Sequence, residues 1–362
     1  MQSSLTCRRV VRVLCGILTA LWLTGADRTH AQTQLVDAEA YRAAKRAATA
    51  TFLDRTKPDA ERLDAAKHLG YPENETFAAM LALAADRTQS DAIRAEALRR
   101  HRYDDKYLDL VLKILADPQD GGEELDASLV ENLGRRTTFK LPAQVRQRIQ
   151  AALRKLLDDT RGRVRLHTYR VLVAAHDEVA INRLSESLRN GTTPPVPLAE
   201  AIDLLDQAGS VNHIGALRRY LDNADPKVQA QAARALAVDP RSRPTIVALA
   251  RNPQTPQEVR LLALRALARV DRQFAEYAIP LVEELKTDPK VRQAAMQAFV
   301  GRMNYTRVEP DTQIRFAQAV ERLAADPSLT TADAAKMRSA AVELHLYLRK
   351  AFPEIQKHYD KP

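Results

Sequence analysis

The sequence predicts an all-α fold, an α-solenoid (α-α superhelix) built from about eight stacked antiparallel helix pairs. Two features of the composition predict helices: about one residue in six is alanine, and the 362 residues include only 11 glycines. Alanine favours helices and lets them approach closely, whereas so few glycines disfavour turn-rich β sandwiches. A third observation, an internal repeat of about 32 residues, predicts that the helices stack as pairs.

The first 31 residues have the order of a secretory signal peptide. Arginines at positions 8, 9 and 12 precede an apolar run at 13–23, which is too short to span a bilayer. Thr29, His30 and Ala31 form a small-x-Ala cleavage site, so we expect cleavage after Ala31. An uncleaved anchor helix is the alternative. Cleavage would release a periplasmic or secreted protein that has no lipid anchor.

Loss of this leader changes the composition of the mature chain. It removes four arginines and one aspartate, which lowers the formal net charge from +9 to +6. It also removes both cysteines and the single tryptophan. We therefore expect no thiol nucleophile, no cysteine-bound zinc and no disulfide in the mature protein. An exported protein without disulfides depends on burial for its stability, which requires a long continuous core.

Five segments of the remaining chain share one pattern. Each starts with a β-branched residue, has a small residue at position +4 and, except for His101, a large apolar residue at position +8. The last three starts are 31 and 32 residues apart, and the earlier gaps of 71 and 64 hold two periods each. Degenerate units are therefore expected near 125–133 and 196–208. The five starts are Ile93, Val164, Val228, Val259 and Val291.

Helix-entry signals precede these segments. Asp225 and Asp288 each offer an N-cap oxygen before a proline at the first helical position. Thr255 and Glu258 have the spacing of a capping box. Second amphipathic runs complete the pairs at 107–116, 145–157, 214–221 and 274–285. Adjacent prolines make 189–197 a loop, which is either a hinge or a tight connection between repeats.

These patterns divide the chain into four parts. Residues 1–31 are the signal peptide, 32–58 an N-terminal helix or cap, 59–305 the repeat array, and 306–362 the C-terminal capping helices with a short tail. Helices are expected at 36–55, 311–325 and 332–352. Their polar side chains suit the ends of an open stack.

The segments at 225–232 (DPKVQAQA) and 288–295 (DPKVRQAA) resemble the HEAT-repeat family, and more narrowly its short repeats of the phycobilisome-lyase type. The resemblance covers 59–305 and is strongest from 225 to 303. The alternative is the tetratricopeptide repeat, but its Trp, Gly and Tyr landmark residues are missing from these segments. The resemblance implies a structural ladder between repeats, which Gln229 would weaken at its own position. The implied ladder residues are Asp225, Asp288, Arg94, Arg165, Arg260 and Arg292.

The sequence contains no nucleophile elbow, phosphate-binding loop, dinucleotide fingerprint or His-Glu-x-x-His motif. No two histidines of the mature chain are three or four residues apart, so no helix presents a two-histidine metal face. The acidic stretch 117–124 departs from a calcium loop and is expected to be a connection. We therefore predict no catalytic, cofactor-binding or metal-binding residue. Asn-x-Thr sequons start at 74, 190 and 304 and matter only in a glycosylating cell.

Position +6 of the pattern is arginine in four segments: Arg99, Arg170, Arg234 and Arg265. At about 100° per residue, this position lies about 170° from the centre of the buried arc, so the side chains should point outward. In a HEAT-like stack they would form an arginine ladder on the concave face, suited to acidic side chains or an anionic polymer. The alternative is that arginine serves solubility on a solvated helix face, because alternate repeats in the first half lack a clear ladder.

The predicted function is that of an exported, non-enzymatic scaffold whose concave face binds another extracytoplasmic protein. The first alternative is a binder of an anionic polymer or surface through the arginine ladder. A remote alternative is an enzyme similar to the bilin lyases, which export and the missing cysteines oppose. The signal peptide also disfavours nucleic acid as a partner. No cofactor and no membrane span after cleavage are expected.

Overall fold

The computed structural model describes residues 38–69, 74–99, 104–137, 141–209, 213–284, 287–305, 308–326 and 332–360. The predicted signal peptide and its cleavage site after Ala31 lie outside these residues, as does His101. Every helix or strand element in the described residues is a helix, which confirms the predicted all-α class.

The described helices fall into two compact units. The first unit contains α1 (Ala38–Leu53) and α2 (Asp59–Ala66). The second unit contains the remaining helices: α3 (Asn74–Ala85), α4 (Asp91–Arg99), α5 (Asp105–Ala116), α6 (Glu123–Thr137), α7 (Ala143–Arg154), α8 (Gly162–Ala174), α9 (Glu178–Asn190), α10 (Leu198–Ala208), α11 (Ile214–Leu217, continued by a 3₁₀ turn at Arg218–Asp222), α12 (Pro226–Leu236), α13 (Arg243–Arg251), α14 (Gln257–Val270), α15 (Phe274–Glu283), α16 (Pro289–Tyr305), α17 (Pro310–Ala325), α18 (Ala332–Ala351) and α19 (Pro353–Tyr359).

In the second unit, α3 to α18 form eight consecutive helix pairs in two layers. The second helices, α4, α6, α8, α10, α12, α14, α16 and α18, pack successively against one another. Contacts between first helices of neighbouring pairs include α3 with α5, α9 with α11 and α15 with α17. Each pair buries its apolar face on the next, as in an α-solenoid. This confirms the predicted fold class. The segment beyond 352, expected to be a tail, forms α19, which buries Ile355.

The periodic pattern corresponds to the core. All five β-branched starts and the small residues at position +4 are buried, the latter being Ala97, Thr168, Ala232, Ala263 and Ala295. Small side chains there let successive second helices approach closely. Larger side chains join one pair to the next: the Phe299 ring stacks on Phe316 of the following pair, with centroids 4.2 Å apart. The core is therefore continuous between neighbouring pairs.

Helix caps follow the predicted chemistry in two of three places. The Asp225 side chain accepts a hydrogen bond from the backbone N of Lys227 at 2.8 Å, and Asp288 accepts one from Lys290 at 2.9 Å. The predicted capping box of Thr255 and Glu258 does not form. Pro256 is the N-cap of α14 and makes no side-chain cap, because the helix starts one residue later than that box requires.

The degenerate repeats and the proline loop lie where the spacing places them. Helices α6 and α10 occupy the two skipped units. After α9, Gly191 adopts a left-handed conformation with φ 70°, which glycine tolerates best, and ends the helix. The loop to α10 is attached to the preceding pair, because Arg165 Nε donates to the Pro195 carbonyl at 2.5 Å.

Candidate interaction surface

The arginines that follow the β-branched starts are structural. Arg94 Nε donates to the Ala84 carbonyl at 2.8 Å, Arg260 Nε to Ala250 at 3.2 Å, and Arg292 Nη2 to Glu284 at 2.6 Å. Each acceptor lies at the C-terminal end of the preceding helix, where carbonyls lack intrahelical partners and the helix dipole favours a cation. These buried guanidiniums therefore join the two helices of a pair.

The implied ladder between repeats forms only in part. Arg94 reaches the next repeat, where its Nη2 lies 2.6 Å from Asp120 Oδ1, and Asp288 accepts a hydrogen bond from Gln257 Nε2 of the preceding repeat at 3.0 Å. The contacts of Asp225 and of Arg292 are to their own pair. Gln229 does not interrupt the series, because its Nε2 donates to the Leu221 carbonyl at 2.7 Å.

One further arginine of this type escaped the sequence pattern. Arg62 on α2 is buried, and its Nε donates to the Phe52 carbonyl at the end of α1, at 3.0 Å. The start position before it is Glu61 rather than a β-branched residue, so this segment lacks the first feature of the pattern. The Asp-x-x-Arg-x-x-Ala-Ala run at 59–66 was the available signal.

The degenerate repeat at α6 reverses the buried charge. Asp126, which is fully buried, occupies the place of the arginine, 32 residues after Arg94. Its Oδ2 lies 2.8 Å from Arg161 Nη1, but the contact is poorly aligned for a hydrogen bond. Burial raises the pKa of Asp126 to about 6, and Arg161 opposes that rise. The buried charge is therefore only partly compensated.

The four predicted site arginines lie on the outer side of the second helices, which we term the second-helix surface. Arg99, Arg170 and Arg265 are exposed, and Arg234 is half-buried. They do not form a uniform basic ladder, because acids neutralise three of them. Arg99 Nε lies 2.8 Å from Glu96 Oε2, Arg170 pairs with Glu200 at 2.8 Å, and Arg234 contacts both Asp203 and Asp206.

The acids that pair with Arg170 and Arg234 belong to the degenerate repeat at α10, whereas Glu96 lies on the same helix as Arg99. Asp203 lies 31 residues before Arg234, one period earlier, so the register position holds opposite charges in successive repeats. The pairs Arg170–Glu200 and Arg234–Asp203 connect α8 to α10 and α10 to α12. Two of the four predicted arginines thus form inter-repeat ion pairs. Arg265 differs, since it lines a groove with two more arginines.

We call this groove, between α14 and α16, the basic groove. It has a volume of about 640 Å³ and a floor of small residues. Its lining consists of Arg265, Ala268, Arg269, Ala294, Gln297, Ala298, Gly301 and Arg302. Of the three arginines in this groove, the periodic pattern contains only Arg265, because Arg269 and Arg302 stand outside its repeated positions.

A smaller groove of about 180 Å³ lies on α10, α12 and α14; we call it the acidic groove. Its charged lining is Glu200, Asp203, Glu258 and Lys227. A third groove, of about 790 Å³, is bordered by the proline loop, Tyr220 and Arg165. The second-helix surface therefore has acids in one groove, two of which pair with Arg170 and Arg234, and arginines in the next.

Within the residues that the structure describes, no group of three or more His, Asp or Glu side chains is placed to hold a metal ion. Among the described helices, none combines the length and the apolar composition needed to cross a membrane.

Comparison with known proteins supports the architecture. Residues 214–300 match the family model described as HEAT repeats, and they correspond to the three pairs from α11 to α16. The described part of the second unit is an α-solenoid, and within it residues 214–300 are HEAT repeats. The predicted resemblance is thereby confirmed. No curated protein sequence matches the chain.

Solved structures similar to the chain include human deoxyhypusine hydroxylase in complex with glycerol, with 16% identity, 74% of this chain and 98% of that chain covered, and a TM-score of 0.30. Two engineered proteins are 18% and 21% identical; they cover 86% and 81% of this chain and 96% and 98% of their own, with TM-scores of 0.35 and 0.19. The fold assignment rests on the chain's own helix pairs and on its HEAT repeats.

Proposed function

We propose that the protein is an exported, non-enzymatic HEAT-repeat scaffold that binds another extracytoplasmic protein through its second-helix surface. The observation that supports this most is the mixture of charges on that surface: an acidic groove and a basic groove lie on consecutive second helices. A surface with alternating charge complements a folded protein or peptide that has both signs of charge. Stacked repeats offer an extended area for such a partner.

The alternative, an anionic polymer bound along an arginine ladder, has less support. A polyanion requires a continuous row of unpaired cations, whereas Arg170 and Arg234 are paired with acids of neighbouring repeats. Salt distinguishes the two functions, since screening over about 10 Å at 0.1 M weakens a purely electrostatic complex. A protein complex should weaken less at 0.5 M sodium chloride than a polymer complex, which should dissociate.

The test is site-specific photo-crosslinking in the native envelope. A photoreactive amino acid replaces Glu258 in the acidic groove, and a control protein has it at Thr245, which is exposed on the first-helix layer at α13. We expect one protein band to crosslink from position 258 and not from position 245. Equal crosslinking from both positions, or from neither, would contradict a partner on the second-helix surface.

Export is tested separately. The variant Ile17→Arg places a charge in the apolar run of the proposed signal peptide. The wild-type protein should be recovered outside the cytoplasm with Gln32 as its N-terminal residue, and the variant should accumulate as uncleaved precursor in the cytoplasm. An intact leader on wild-type protein would show that the segment is an anchor or is not a signal.

A further inference from the structure

The basic groove concentrates positive charge that its own walls leave uncompensated. Arg265 and Arg269 are four residues apart on α14 and therefore share one helix face, and Arg302 extends from α16. Among the described residues that line this groove there is no aspartate or glutamate. Gln297 adds a neutral side chain that can donate hydrogen bonds.

An acid on α10, Asp206, interacts electrostatically with Arg269 but is already engaged by another arginine. Asp206 is 3.1 Å from Arg234. Burial raises the pKa of Asp206, and the charges of Arg234 and Arg269 oppose that rise. Asp206 therefore has a longer-range electrostatic interaction with Arg269, whereas its direct ion pair is with Arg234. The equivalent arginine one repeat earlier is neutralised, whereas Arg265 is exposed beside two other cations.

One wall of the groove is fixed in place. Arg302 is half-buried, and its Nη1 donates to the Ala268 carbonyl on α14 at 2.9 Å. This hydrogen bond uses one of the five N–H donors of the guanidinium. It holds Arg302 over the floor formed by Ala268 and Ala294, both of which are buried. A preorganised cation loses less side-chain freedom when an anion binds.

Gly301 keeps the groove open. It lies inside α16, where glycine is less favourable than alanine. A Cβ added at this position would meet no atom within 4 Å, so packing does not require the glycine. Its missing side chain instead leaves space in the lining of the groove.

We propose that the basic groove binds carboxylate side chains of an acidic segment in the protein partner. Guanidinium groups form forked, charge-assisted hydrogen bonds with carboxylates, and three of them around one groove can hold two or more acidic residues. This inference rests on the proposed function and specifies the chemistry of the partner.

The direct test measures binding of a fluorescein-labelled hexaglutamate peptide to the full mature protein by fluorescence anisotropy, with hexaglutamine as the uncharged probe. The double variant Arg265→Gln/Arg269→Gln should weaken hexaglutamate binding at least about tenfold, which is about 1.4 kcal/mol. Its matched control is Arg251→Gln/Arg272→Gln, which removes the same charge from exposed positions outside the groove. The control should bind within about twofold of wild type.

A second variant, Gly301→Leu, blocks the groove and leaves its charge unchanged. Because the space around Gly301 is open, the variant should fold, and its binding should fall at least about tenfold. Equal losses in the control and the groove variants would overturn the proposal, because they would show attraction to net charge alone. Wild-type binding that is the same for hexaglutamine and hexaglutamate would also overturn it, as would tighter binding of polyphosphate that Gly301→Leu leaves intact.

Failure of this inference can be distinguished from failure of the proposed function. If the groove variants still crosslink to the partner from position 258 as wild type does, the proposed scaffold function is retained and the proposed carboxylate site is rejected. If wild type gives no partner crosslink at all while hexaglutamate binding depends on the groove, the proposed function fails and the groove stands as a carboxylate-binding site.

Discussion

The second helices contain two columns of charged residues that behave in opposite ways. At the inner column, Arg94, Arg260 and Arg292 are buried and donate to helix ends. At the outer column, Arg99, Arg170, Arg234 and Arg265 lie at the surface, and acids pair with the first three. Five residues of separation on one helix thus change an arginine from a structural group into a surface group. The same side chain stabilises the fold or recognises a ligand according to what surrounds it.

The largest difference between the columns should appear at Arg94. The variant Arg94→Leu leaves Asp120 and two carbonyls without their buried donor, and should lower the free energy of unfolding by about 3–5 kcal/mol. Arg99→Gln on the same helix should cost less than about 1 kcal/mol, because the Arg99 side chain is exposed. Urea unfolding of the two variants measures both. Similar losses would remove the distinction between the columns.

The reversed charge at Asp126 gives the inner column a pH dependence. Since burial raises the pKa of Asp126 from 3.8 to about 6, the folded protein binds this proton more tightly than the unfolded chain. Stability from this group is present below about pH 4 and is lost as pH rises to about 6 and above. Asp126→Asn removes that loss, so its stability relative to wild type should increase by up to about 3 kcal/mol between pH 4 and pH 7.

Asp239 provides a control of opposite sign. A hydrogen bond from Arg218, with others from Ser242 and the Arg241 backbone, lowers the pKa of Asp239 to about 2. Its contribution is therefore present above about pH 4 and lost as pH falls towards 2. Asp239→Asn should be less stable than wild type at pH 7, by an amount that shrinks in acid. If both variants follow the same pH trend in urea unfolding, the assignment of the shift to Asp126 is wrong.

Gln229 indicates that the inner column needs a donor more than a charge. It reaches the carbonyl eight residues before it at 2.7 Å, and Arg292 makes the equivalent contact at 2.6 Å. Arg292→Gln should therefore cost about 1 kcal/mol or less, and Arg292→Leu about 1–3 kcal/mol more, because the Glu284 carbonyl loses its donor. Thermal unfolding of the two variants checks this order. A glutamine variant as damaged as the leucine variant would show that the charge is needed.

The sequence was sufficient for the helix pairs and for the outward direction of the position +6 arginines, because both follow from periodicity within one helix. The sequence was insufficient to predict which acids pair with those arginines. Glu200, Asp203 and Asp206 belong to a degenerate repeat whose register could not be aligned without its neighbours. The basic groove was missed for a similar reason: Arg302 joins Arg265 only when α16 packs on α14. The burial of Asp126 could not be predicted for the same reason, because the register of its degenerate repeat could not be aligned from the sequence.

The smallest effects compare Arg234 with Arg265, which occupy the same position in successive repeats. Arg234→Gln breaks contacts with Asp203 and Asp206 and should cost about 0.5–1 kcal/mol at low salt, with less loss at 1 M sodium chloride. Arg265→Gln should cost nothing and can add up to about 0.5 kcal/mol, because it relieves the like-charge pair with Arg269. Urea unfolding at two salt concentrations resolves the signs. If Arg265→Gln is more stable than wild type and binds hexaglutamate more weakly, Arg265 serves recognition rather than stability. If Arg234→Gln and Arg265→Gln both lose stability, Arg265 is a structural residue like Arg234.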